Sequence, residues 1–141
     1  FNPQWEFGTG LSYTTFEYSG LKVANKAKIG DNVSIKVKVT NTGKMAGEEV
    51  VQLYLKDEEA STPRPKLQLE GFDRIHLDPG ESKTVEFVLS PRQFSLIGKD
   101  DIRIVEKGKF SISVGGGQPN LKGTDSVSGK IKLKGKNMEM K

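Results

Sequence analysis

Three clusters of carboxylates are the first candidates for chemistry in this chain: Glu48–Glu49, Asp57–Glu58–Glu59 and Asp100–Asp101. Two carboxyls held about 5–5.5 Å apart around a sugar can cleave a glycosidic bond with retention. All three clusters fall at expected turns or strand ends, where acids are solvated rather than poised around a pocket. Calcium at Asp57–Glu59 would need a loop with ligands at spaced positions, which this stretch lacks. His76 is the only histidine, so no multi-histidine metal centre can form, and no nucleophile motif accompanies it. No Lys-Ser or Lys-Thr follows the Gly115–Gly117 run and no helix opens there, so the phosphate-cradling mechanics are absent. Gly8 and Gly10 lack the third glycine of a dinucleotide fingerprint and precede a strand instead of following one. The expectation is no catalytic residue, no cofactor and no metal site.

The elements that would position any site are strands. In NVSIKVKVTN, Val33, Ile35, Val37 and Val39 point one way and Ser34, Lys36, Lys38 and Thr40 the other. Such period-two alternation marks a strand with one face on a core and one in water. Val51, Leu53 and Leu55 repeat it, as do Val85, Phe87 and Leu89, and Phe110, Ile112 and Val114. A last candidate places Val127, Ile131 and Leu133 on one face. The turn sequences NTGK, LDPGES and EKGK separate these runs. Pro63 and Pro65 cannot donate to a ladder, so their segment reads as an edge strand or loop. No window carries a helical stripe, and SPRQFSLIG suggests one short turn. The fold class is therefore all-β, an antiparallel sandwich of about seven strands with an extra C-terminal strand as an option.

Composition narrows the function classes. Cysteine is absent, which removes disulfides and thiolate metal sites, and no apolar run is long enough to span a membrane. The chain opens on Phe1, with no charged segment followed by an apolar one to mark a signal peptide. The net charge of +4 is a tail property. Residues 121–141 hold six lysines against Asp125 and Glu139, and the remainder balances at sixteen basic and sixteen acidic residues. The domain proper thus has no basic field for nucleic acid, and no aromatics interleave with the lysines at 130, 132 and 134.

Four ordered blocks carry more than periodicity: FGTGLSYTTFEYSGL, VKVTNTGKMAGEEVVQLYL, RPKLQLEGFDRIHLDPGESKTVEFVLS and GKFSISVGG. Together they resemble the C-terminal fibronectin type III-like domain of glycoside hydrolase family 3 enzymes, the β-glucosidases and β-xylosidases. The resemblance runs from about Trp5 to Gly116. It implies a connector over 1–12 from a preceding enzyme body, a fibronectin type III-like sandwich over 13–117 and a basic extension over 118–141. That family hydrolyses β-linked sugars through a covalent intermediate, with its nucleophilic Asp and general-acid Glu in domains that precede this one. No catalytic residue can be carried over, so the implied role is a non-catalytic accessory domain that docks on and stabilises the catalytic domains of the same parent chain. Trp5, Phe7, Tyr13 and Phe16 would form that interface, with Tyr13 and Phe16 alternatively packing into the domain's own first strand. Family habit implies a periplasmic or secreted location.

A second reading is a carbohydrate-binding module that anchors an enzyme to polysaccharide. Such modules stack sugars on a flat row of exposed aromatics. Tyr18, Tyr54, Phe72 and Phe94 are available, and Tyr54 points away from the Val51–Leu53–Leu55 face, which makes it the expected stacking residue. A third reading is a free-standing adhesion or interaction domain. None of the three calls for nucleic acid or a membrane as partner.

Overall fold

The computed structural model describes residues 14–58, 67–97, 101–117 and 126–140. Among them eleven strands form three sheets, with one short 3-10 turn at Pro91–Phe94. Seven strands carry the sandwich. β1 (Phe16–Lys22), β3 (Val33–Asn41) and β6 (Ser82–Leu89) form one sheet in the order β1-β3-β6. The other has the order β2-β10-β9-β4-β5, built on β4 (Gly47–Asp57), β5 (Leu67–Leu77), β9 (Gly108–Gly115) and β10 (Ser126–Lys134), with β2 (Lys26–Lys28) at its edge. The expected count of about seven therefore describes the long strands. The others, β2, β7 (Leu96–Ile97), β8 (Arg103–Val105) and β11 (Met138–Met140), are two or three residues long, too short to show alternation.

The alternating residues meet where the periodicity places them. Val33, Ile35, Val37 and Val39 of β3 face Val51, Leu53 and Leu55 of β4 across one core, joined by Val85, Leu89, Ile112, Val114, Ile131 and Leu133. Phe94 from the 3-10 turn closes on Phe110 edge-to-face, ring centres 5.1 Å apart. A third small sheet, β11-β8-β7, adds Val105 to the core with Met138 and Met140 packed against it.

Two placements go beyond what local pattern gives. The 127–134 segment is an ordered added strand: β10 pairs antiparallel with β9 along its length, and β2 pairs parallel with its last residues only, Lys132–Lys134. The parallel partner comes from about a hundred residues earlier in the chain, and no local pattern could announce it. The second is in β5, the opposite edge of that sheet. Its ladder with β4 shifts between Leu53, opposite Gly71, and Tyr54, opposite Leu69, leaving Glu70 as a bulge. The bulge's carbonyl accepts from Gln93 Nε2 at 2.8 Å. Pro63 and Pro65 lie outside the described residues.

Candidate functional site

Strand geometry separates the paired carboxylates. Glu48 and Glu49 point to opposite faces of β4. Glu48 receives the Arg74 guanidinium at 2.5 Å on the exposed face, whereas Glu49 is 8% exposed and accepts from Tyr18 Oη at 3.0 Å inside the sandwich. Burial pushes the Glu49 carboxyl above its ordinary 4.5, while the Tyr18 hydroxyl and the Val50 amide pull it back. A Cβ on Gly116 would come within 2.7 Å of Glu49 Oε2, so a side chain there would push this carboxylate aside. Glu58 is held below the usual carboxylate range by the Ser111 hydroxyl, which donates to it at 2.7 Å, and by Lys56 and Lys130. His76 is exposed, 3.4 Å from Asp78. Among the described residues no three His, Cys, Asp or Glu side chains gather as metal ligands. Glu59 and Asp100 lie outside them.

The aromatic residues are sorted by their strands. Tyr18 and Phe94 are core residues. Tyr54 does point away from Val51, Leu53 and Leu55, yet it is only 9% exposed, and its hydroxyl donates to Gln52 Oε1 at 2.7 Å. The Gln52 amide in turn donates to the Gly116 carbonyl at 3.3 Å. Val50, Gln52 and Ser113 are buried beside it, so the central strand β4 is withdrawn from water on both faces. The Tyr54 ring is thus enclosed on β4 instead of standing in an exposed row. Alternation tells which side a residue takes; it does not tell whether that side is covered. Phe16 begins β1 opposite Asn41 and packs, half-buried, against the domain's own core. Trp5, Phe7 and Tyr13 lie outside the described residues.

The bulge at Glu70 creates a feature that the sequence hides. Simple alternation would place Leu67 and Leu69 on one face and Phe72 on the other. The extra residue brings all three to the outer face, opposite Lys56, Tyr54 and Gln52. Phe72 is 69% exposed, and Leu67 and Leu69 are exposed beside it. Among the described residues this is an apolar stripe along a sheet edge, a surface that water disfavours and a partner would cover.

Comparison with known proteins fits this architecture. Residues 49–118, from within β4 to just past β9, match the family model "Fibronectin type III-like domain". A thermostable beta-glucosidase B from Acetivibrio thermocellus is 48% identical over 118 residues, covering 80% of this chain. A periplasmic beta-glucosidase from Salmonella typhimurium is 42% identical over 114 residues, again 80% of this chain. The chain spans 15% of the length of each of these curated relatives. The crystal structure of a beta-glucosidase from Listeria innocua superposes with a TM-score of 0.82 at 30% identity, over 94% of this chain and 18% of that one. No described helix is long and apolar enough to cross a membrane. Sandwich topology and matched strands together place this chain among the fibronectin type III-like domains of glycoside hydrolase family 3 β-glucosidases.

Proposed function

We propose that this domain is a non-catalytic accessory domain of a retaining β-glycosidase of the β-glucosidase type, docking on the catalytic domains of the same polypeptide and stabilising them. The observation that carries this reading is the Leu67–Leu69–Phe72 stripe, gathered on one face of β5 by the bulge. Its neighbours Tyr54 and Gln52 are already fixed by hydrogen bonds, so the stripe is presented on a rigid strand pair. An interface built on a preorganised aromatic anchor loses little side-chain entropy on docking. Trp5, Phe7 and Tyr13 belong to the same interface in this proposal. Phe16 contributes only the edge that its own core leaves uncovered. A periplasmic or secreted location completes it.

The test is a Leu69→Glu/Phe72→Glu double variant in the full-length parent enzyme. The expected result is a lower thermal inactivation temperature of the glycosidase and faster release of this domain by limited proteolysis. An unchanged inactivation temperature together with an unchanged proteolysis rate would sink the docking reading.

A further inference from the structure

The parallel pairing of β2 with β10 assembles a surface that belongs to no single stretch of sequence. In register, Lys26 lies beside Lys132 and Lys28 beside Lys134, while Lys109 of β9 flanks Lys132 from the other side. Lys130 continues the row opposite Ser111. Ile131, Leu133, Phe110 and Ile112 fill the inner face of these strands, so the lysines share the outer one, and all are exposed. Neighbouring strands lie about 4.8 Å apart and alternate residues along a strand about 6.6 Å apart. The result is a lattice of ammonium groups at close, regular spacing.

Like charges directly opposite each other destabilise a sheet, and here they face each other in successive rows. The crowding is felt within the lattice: the Lys26 amine, first by a hydrogen bond and then as a like charge, holds Lys134 below the ordinary lysine range, with Lys132 adding to the effect. Glu58 stands beside Ser111 and Lys130 at the rim of this lattice, whereas on the outer face of the other sheet Glu17 and Glu86 are interspersed among Lys22, Lys36 and Lys38.

We propose that the outer face of β2, β10 and β9, through Lys26, Lys28, Lys130, Lys132 and Lys134, binds an acidic polysaccharide. Charge calls for a polyanion, and the other side chains on this face choose among polyanions. Among the described residues no aromatic stands between the lysines to stack a nucleic-acid base, and no large apolar side chain borders them to enter a lipid surface. Serine hydroxyls do: Ser128 and Ser111 point the same way as the lysines, Ser111 with its proton already given to Glu58. A carboxylate-bearing sugar polymer offers regularly spaced charge and a hydroxyl-rich ring, matching both kinds of side chain. These lysines lie on the same outer face as the β5 stripe but three to four strand spacings from it, about 14–19 Å, so the proposal stands independently of the docking reading.

The test is affinity electrophoresis of the 141-residue chain in gels containing polygalacturonate, with a neutral glucan gel as reference. Retardation by polygalacturonate is expected at about 50 mM salt and its loss by about 200 mM, since neutralised charges release counterions. A Lys26→Gln/Lys28→Gln/Lys132→Gln variant should bind at least about tenfold more weakly. Lys22→Gln/Lys36→Gln/Lys38→Gln, with the same change in net charge, should bind as the parent chain does. Far-UV circular dichroism establishes that both variants fold. The proposal fails if polygalacturonate gives no retardation at low salt, or if the two triple variants weaken binding equally. It also fails if duplex DNA or phosphatidylserine vesicles displace polygalacturonate at lower charge concentration, which would give the surface to another class of polyanion.

Discussion

Tyr18 of β1 donates its hydroxyl to Glu49 Oε2 of β4 at 3.0 Å, a hydrogen bond between the two sheets of the sandwich. A carboxylate in such a place is charged at a cost. Because its folded-state value lies above the ordinary 4.5, the folded chain holds this proton more tightly than the unfolded chain. Stability therefore falls as pH rises from the ordinary value through the raised one, and the penalty is complete above it. Glu49→Gln keeps an acceptor for Tyr18 and removes the penalty. Thermal melts from about pH 4 to about pH 8 should show the parent chain losing stability across that window and the variant losing less. Tyr18→Phe should do the reverse, lowering the melting temperature most above the raised value, where the carboxylate is left charged without its donor.

Asn41 is fully buried and uses all its hydrogen-bonding capacity. Its Oδ1 accepts from Thr14 Oγ1 and the Gly43 amide, both at 2.9 Å, and its Nδ2 donates to the Met45 and Leu77 carbonyls at 2.8 and 3.0 Å. One side chain thus ties the β3–β4 turn to the end of β5. Asn41→Ala leaves several of these groups unsatisfied and should cost about 3 kcal/mol in urea unfolding, at about 1–3 kcal/mol for each buried orphan. Gly43→Ala should destabilise the same turn by another route, since its Cβ would overlap Thr14 Oγ1 and approach the Thr15 amide at 3.0 Å.

Tyr54→Ala should act on stability rather than on sugar binding. The ring is buried, so its removal should cost about 3–5 kcal/mol as other large-to-small aromatic truncations do. Tyr54→Phe removes only the donor to Gln52 Oε1 and should cost about 1 kcal/mol. Chemical denaturation of the two variants checks both values.

Lys132→Gln should raise the melting temperature at low ionic strength. Its ammonium stands between Lys26 and Lys109 on neighbouring strands, and its removal relieves repulsion on both sides. The gain should shrink as salt is added, because exposed charges are screened within about 10 Å at 0.1 M. Melting curves at several salt concentrations test the sign and the trend together.

Much of the sandwich was readable from particular residues. Val33, Ile35, Val37 and Val39 alternate because β3 has one wet and one dry face, and all four are buried. The turn residues were legible too: Gly80, φ 79°, sits in the Asp78–Glu81 turn, where its amide donates to the Asn41 carbonyl at 2.9 Å. The expectation that the paired acids are solvated fails at Glu49, which β4 turns inward to Tyr18 while Glu48 stays on the exposed face. Harder to read were β2, β7, β8 and β11, which are too short to alternate; β2 and β11 also pair with strands far away in sequence.

By itself, then, the sequence determined the strands, their inner faces and the family, because alternation and turn chemistry are local properties written residue by residue. The tertiary structure alone decided the surfaces. Whether Tyr54 is wet or covered depends on β4 being central, and whether Leu67, Leu69 and Phe72 share a face depends on one bulged residue at Glu70. Whether Lys26 meets Lys132 depends on a parallel pairing across most of the chain. Each is a relation between strands, set by register and sheet order, and a one-residue slip in register would reverse it.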